Sequence, residues 1–521
     1  MNRTLLALIV ILSSFAGASA AAERKRPKLL LAVVIDQFRY DYLTRFEDQY
    51  HAGLARMLRQ GAVFTDAHYI HFPTVTAIGH ATFLSGATPS LSGIIGNEWY
   101  DRATKRNVTS VSDEATQMLG GVPGEKGSSP RRMLVSTIPD ELKMSGKSSK
   151  VIGVSIKDRS AILPAGHMAD GAYWFNDDSN SWVSSTYYMA DLPGWVKEIN
   201  SSRPAAKYLG EQWMPIDAKP GDKPFCTMVN GSGIRYCGSI EATPWGNEMI
   251  ESFAEQAIAA EQLGRHAGTD VLAVSLSSND YVGHAVGPDA PEVRDISIRT
   301  DRLLGKLMDY IDSQVGAGNT LLVLTADHGV APVPELNQQR KMPGGRLSAA
   351  TLLEALNKAF SDAFGDGEWV EGGSAEAIYL NRDLIRIRKL NPADFERVGA
   401  EALRAIPHIF RVFTRDELAT GQIIDDPAGR AVSNGYYGPR SGDLVVVPEP
   451  YYMFSAAPGT THGTPFNYDS HVPVIFLGAG VKAGRYYQPI AVNDIAPTLA
   501  TMLDIEEPSG AMGRILSEIF E

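Results

Sequence analysis

Acids and a histidine stand where apolar runs stop. Asp36 follows Leu29 to Ile35 directly, and Asp327-His328 closes the run Thr320 to Ala326. A short apolar run ending at a turn reads as a buried parallel strand, and Gly329 marks the turn here. The carboxyl ends of such strands face a crevice, so residues far apart in sequence can meet there. Two carboxylates and an imidazole in that position offer O and N donors to a tetrahedral divalent metal. Alone, Asp36 could instead cap the following helix.

A second set lies in Asp280-Tyr-Val-Gly-His284, just after the run ending at Leu276. Residues four apart share a helix face, so this carboxylate and imidazole can hold one ion together. A third ligand is needed. Thr461-His462-Gly463 supplies one, and His471 competes with it. Thr76, in the loop Pro73-Thr-Val-Thr76 before an apolar helix-like segment, is placed at or near a helix N-cap. Free backbone N-H groups there favour an anion, and a hydroxyl beside a metal can lose its proton near neutral pH. Simple capping by Thr76 is the plainer use.

The elements that must position these residues alternate. Strand-like runs at 29–35, 151–156, 271–276, 321–324 and 472–477 are separated by helical patterns, clearest from Glu292 to Ile311. This predicts an α/β fold with a doubly wound, mostly parallel sheet and helices on both faces. Two stretches break the alternation. Residues from about 169 to 245 are rich in Gly, Ser, Asn and Pro and carry five of the seven tryptophans, so they read as an inserted aromatic cap. Its aromatics could pack the cap itself or offer faces to a ligand. Residues from about 330 to 452, with a helical pattern over 347–364, read as a second inserted subdomain. Residues 21–521 then form one catalytic domain with two insertions.

The first 20 residues have a basic start at Arg3, an apolar stretch from Leu5 to Phe15 and Ala18-Ser19-Ala20, the pattern of a signal peptide. No later segment approaches the roughly 20 apolar residues of a membrane span. The mature protein is therefore expected in the periplasm or secreted. Cys226 and Cys237 are the only cysteines, and an exported pair so close in sequence is expected to form a disulfide, with two free buried thiols as the alternative. A formal charge of −12 argues against a standing nucleic-acid partner.

Taken together, Ile35-Asp36, Pro73-Thr-Val-Thr76, Gly96-Asn97, Lys157-Asp-Arg159, Asp280 with His284, Asp327-His328-Gly329 and Thr461-His462-Gly463 resemble, in order, the alkaline phosphatase superfamily. The chain is most similar to its bacterial periplasmic zinc enzymes with a threonine nucleophile, relatives of the nucleotide pyrophosphatase/phosphodiesterases. The resemblance implies two Zn²⁺ per chain. Asp36, Asp327 and His328 would hold one, with Thr76 bridging towards it as nucleophile; Asp280, His284 and His462 would hold the other, His471 being the alternative to His462.

Two zinc ions about 4 Å apart stabilise both the attacking and the leaving oxygen of a phosphoryl displacement. The implied reaction is hydrolysis of small-molecule phosphate monoesters through a phosphothreonine, by a monomer. Asn97, Lys157 and Arg159 would bind the substrate, because an arginine fork, a lysine charge and an amide suit a dianion better than a diester. The alternative is a phosphodiesterase or nucleotide pyrophosphatase using the same metals and Thr76. A sulfatase would need a cysteine or serine in a Cys-x-Pro-x-Arg type setting, which Cys226 and Cys237 lack.

Overall fold

The computed structural model describes residues 26–146, 148–229 and 237–520; the signal peptide expected over residues 1–20 lies outside them. Five parallel strands form the centre of an eleven-stranded sheet: Leu29–Ile35 (β1), Val151–Ser155 (β2), Gly171–Asn176 (β3), Asp270–Leu276 (β4) and Thr320–Thr325 (β5). Their order is β3-β2-β4-β1-β5. Every residue of β1, β4 and β5 is buried, which is why these strands are written as continuous rather than alternating apolar runs.

Register decides where the site forms. Ile35 lies opposite Leu276, Val34 opposite Thr325, and Ser275 opposite Ser155. The ends of four strands are thus level, and the residues that follow them meet on one edge. Strand Val474–Gly478 (β6) departs from the parallel expectation, for it pairs antiparallel with β5, Thr325 opposite Val474. The segment before it carries His462 at the ligand end of the sheet, so the chain can only run back towards the other end.

Four helices matter to the site: Thr76–Ser85 (α1), Asp158–Ala165 (α2), Ser278–Val286 (α3) and Pro291–Gln314 (α4). In α4, Ile296, Leu304, Leu307, Met308 and Ile311 are buried, as their three- and four-residue spacing requires. Helix α1 is buried on all sides, and Gly79 explains how it fits. A Cβ on Gly79 would stand 2.2 Å from the Asp327 carbonyl oxygen, so only a glycine lets the helix touch the end of β5.

Within residues 169–245, Trp174 lies on β3 and Trp182 on the neighbouring strand Ser181–Ser185; both are buried, and Trp182 stacks on Phe253 at 4.2 Å. Cys226 and Cys237 are joined by a disulfide. Within residues 330–452, strands Val370–Gly373, Ala377–Leu380, Leu444–Pro448 and Ile409–Thr414 make a separate sheet in that order. Helices Ala349–Phe364 and Pro392–Arg404 pack on one another there around Leu356, Phe360 and Phe395.

Candidate metal centre

Two groups of three potential ligands stand at the level strand ends: Asp36, Asp327 and His328, all buried, and Asp280, His284 and His462, of which only Asp280 is fully buried. Asp36 leaves β1, Asp327 and His328 leave β5, and Asp280 and His284 occupy successive turns of α3. His328 Nε2 is 3.6 Å from Asp36 Oδ1 and 3.5 Å from Asp327 Oδ2. In the second group, Asp280 Oδ1 is 3.2 Å from His284 Nε2 and 3.7 Å from His462 Nε2. The rings of His328 and His462 stack at 3.5 Å, so the groups adjoin.

All three imidazoles are oriented the same way. Nδ1 of His328 donates to the Gly329 carbonyl at 2.9 Å, that of His284 to Thr460 at 2.8 Å and that of His462 to Thr74 at 2.8 Å. A carbonyl can only accept, so each Nδ1 carries the proton and each Nε2 is turned to the site as a metal-ligating histidine requires. Burial holds His328 and His462 below the ordinary imidazole range, which keeps their Nε2 lone pairs free. Asp36 Oδ1 and Asp327 Oδ2 are buried with no hydrogen-bond donor. Acceptors gathered around an acceptor are costly unless a cation joins them, and oxygen with imidazole nitrogen is a donor set that zinc accepts. The residues present therefore fit a divalent metal.

His471 lies elsewhere, beside Asp66 and His68, so the geometry brings His462 and not His471 to Asp280 and His284. Thr76 is the first residue of α1 rather than its cap. Val75 holds the cap position, and its own side chain makes no capping hydrogen bond. The Thr76 hydroxyl is thus unspent on the helix; it is buried and 3.4 Å from His328 Nε2. Asn97 Oδ1 accepts from the Ala77 backbone N-H at 2.8 Å, which fixes the side chain beside Thr76 and leaves its amide N-H groups to donate.

Lys157, at the start of α2, is buried and bonds Asp36 Oδ2 at 2.7 Å and Asp280 Oδ2 at 2.6 Å. It spans the seam between the two groups. Burial works against its charge, but Asp280 and Asp36 hold the ammonium above its ordinary range. Burial likewise pushes the Asp280 carboxyl up, and His284 and Lys157 outweigh it, so Asp280 ends well below the usual range. Asp36 is raised by burial and by Asp327. The Arg159 guanidinium is partly buried, and its Nε has no partner.

Three further residues complete the floor, and the sequence reading missed them. Gln37, in a left-handed conformation at φ 62°, donates from its backbone to Asp327 Oδ1 at 3.0 Å and from Nε2 to Asp280 Oδ1 at 2.6 Å. His80 donates from Nδ1 to the Thr76 carbonyl at 2.8 Å and lies 3.3 Å from Asp327 Oδ2. Its place one turn after Thr76 on α1 was the available signal. Asp469 accepts from the backbone of Gly463 and Thr464, and from the Thr464 hydroxyl at 2.6 Å, and so shapes the loop beside His462. Nothing local in the sequence marks Gln37 or Asp469.

Over this floor opens a cavity of about 380 Å³. Asn97, His284 and His462 lie at its base, and Phe72, Trp99, Tyr100, Tyr379 and Tyr436 form much of its wall. No described residue of the 169–245 segment lines it; Tyr379 and Tyr436 come from the 330–452 segment.

The sequence matches the family described as Type I phosphodiesterase / nucleotide pyrophosphatase over residues 30–471. The chain belongs to this family. It is 35% identical to "Alkaline phosphatase PafA" of Elizabethkingia meningoseptica over 98% of each chain, and 36% identical to "Alkaline phosphatase PhoV" of Synechococcus elongatus over 95% of this chain and 93% of that one. The crystal structure of wild-type PafA superposes with a TM-score of 0.89, at 36% identity, over 95% of this chain and 99% of PafA. Murine ectonucleotide pyrophosphatase / phosphodiesterase 5, at 15% identity and a TM-score of 0.55 over 95% of this chain and 100% of its own, shares the fold alone. The α/β architecture with a large, mostly parallel central sheet is thus that of the alkaline phosphatases within the family.

Proposed function

We propose that this protein is an exported alkaline phosphatase, a zinc-dependent hydrolase of phosphate monoesters that works through a phosphothreonine on Thr76. The observation that carries the reading is the buried Thr76 hydroxyl, not used to cap its helix, beside two three-ligand groups. The full-length similarity to proteins named alkaline phosphatases supports it. Asp36, Asp327 and His328 would hold one divalent ion and Asp280, His284 and His462 a second, and such a pair neutralises phosphoryl charge, lowers the pKa of a hydroxyl and stabilises the departing oxygen.

The chain's own residues supply the rest. Thr76 Oγ1 forms the new bond to phosphorus as the bond to the leaving oxygen breaks; water then cleaves the phosphothreonine and returns the hydroxyl. Asn97 is fixed through its carbonyl oxygen and donates its amide to a phosphoryl oxygen. Lys157 and Arg159 add positive charge, which favours a dianionic monoester over a diester with one charge. The leaving group occupies the aromatic cavity.

The test is kcat/KM of the zinc-loaded protein on p-nitrophenyl phosphate and bis-p-nitrophenyl phosphate at alkaline pH, with a chelator control. A chelator-sensitive preference for the monoester is expected. A diester preference would overturn the monoesterase reading and leave Lys157 and Arg159 without their roles.

A further inference from the structure

We propose that Asp66, His68 and His471 form a third metal site, apart from the two groups beside Thr76, that takes a borderline divalent ion such as zinc. The three side chains present ligand atoms all within 4.8 Å of one another. His68 and His471 face each other across an isolated antiparallel bridge, with ring centroids 4.6 Å apart, and Asp66 Oδ1 lies 2.8 Å from His68 Nε2. The backbone thus holds the two imidazoles together independently of what they bind.

The second observation is how each ring is held. His471 Nε2 donates to the Thr65 carbonyl at 3.0 Å, leaving Nδ1 as the acceptor nitrogen. His68 Nδ1 lies 3.2 Å from the Ser470 hydroxyl, leaving Nε2 to the cluster. His68 thus has one nitrogen tied to an oxygen and the other presented to a carboxylate, as His284, His328 and His462 do, and His471 has one nitrogen tied to a backbone carbonyl, which is how ligating histidines are oriented in general. Tyr40 stacks on His471 at 4.5 Å and restrains that ring.

Two imidazoles and one carboxylate suit zinc, copper or nickel rather than calcium or magnesium, and leave a position open to water. Bonds of about 2.1 Å place tetrahedral ligand atoms about 3.4 Å apart. All three side chains are partly exposed, so side-chain rotation can close the triad and an ion can enter from solvent. The site joins residues 66–68 to residues 470–471, directly after the Asp469 that shapes the His462 loop. Its role is therefore to clamp that loop from behind, without contact with substrate.

Zinc per chain, counted by mass spectrometry after dialysis against buffered free Zn²⁺, tests the proposal alongside kcat/KM. Wild-type protein should hold one equivalent more than either His68→Ala or Asp66→Asn, and both variants should keep kcat/KM within about twofold. Two variants guard against one that fails to fold, and His284→Ala reports the catalytic groups separately by losing activity with its metal. Equal zinc in the wild type and both variants would overturn the site, whatever His284→Ala shows. A variant that loses its equivalent together with more than about tenfold of kcat/KM would overturn its peripheral role.

Discussion

At the floor of the cavity, Asp36, Asp327 and His328 are fully buried, Asp327 and His328 fixed by hydrogen bonds to backbone and Asp36 by Lys157, whereas the wall above is made of aromatic faces from separate segments: Trp99 and Tyr100 from an early hairpin, Tyr379 and Tyr436 from the 330–452 segment. The floor depends on charge placed to within a fraction of an ångström; the wall depends on shape. Changes to the floor should therefore act on the chemical step, and changes to the wall on which ester enters.

The largest contrast comes from Thr76→Ala, which should lower kcat/KM on a monoester by at least about 10⁴-fold while metal content stays the same, because the hydroxyl is a reactant. Rapid-quench trapping of phosphoprotein checks it, and an undiminished phosphoprotein signal would refute the assignment. Next, Lys157→Ala combined with Arg159→Ala removes two charged donors worth about 1.5–3 kcal/mol each. Monoester hydrolysis should fall about 10²–10⁴-fold and diester hydrolysis less than about tenfold, in steady-state assays on both substrates. Equal losses would place the lysine and arginine outside substrate discrimination.

On the wall, Trp99→Leu should cost about 0.5–1.5 kcal/mol with an aryl leaving group, or about 2–12-fold in kcat/KM, and leave glycerol phosphate unaffected. Equal losses on both esters would mean that the wall reaches the floor. The smallest effect lies behind the wall, at Glu396, which is buried and accepts from the Asp416 backbone at 2.9 Å. Burial pushes its carboxyl up to about 7, above its unfolded value near 4.5. Its contribution to stability is thus whole below about pH 4.5 and lost as pH rises through about 7. Glu396→Gln should remove that loss: Tm measured at pH 5 and pH 8 should fall less in the variant than in the wild type, by a few degrees, with turnover unchanged.

What the sequence disclosed follows the same division. Asp36 and Asp327 were legible because a carboxylate ending an apolar run has no packing reason to be there, and Asp280 with His284 because helix periodicity puts them on one face. Gln37 acts only through tertiary contacts and Asp469 through an irregular loop with no regular period, so no local pattern marks them. Spacing alone left His462 and His471 open and the family resemblance favoured His462; the geometry that separates them follows the path of the chain back into β6, whose antiparallel direction the apolar pattern cannot encode. The wall was least legible of all. Tryptophans clustered in residues 169–245 drew attention to that stretch, yet Trp174 and Trp182 are buried on the sheet, and the cavity's aromatics are spread over other segments.

Gly79 places a bound on how this scaffold can drift. With helix and strand in contact at the Asp327 carbonyl, even a methyl group at position 79 would drive the nucleophile away from the metal ligands. The two parts of the machinery are therefore not separately adjustable. Any lineage that acquires a new substrate has the whole wall to rewrite, but at this one position it must keep a hydrogen atom.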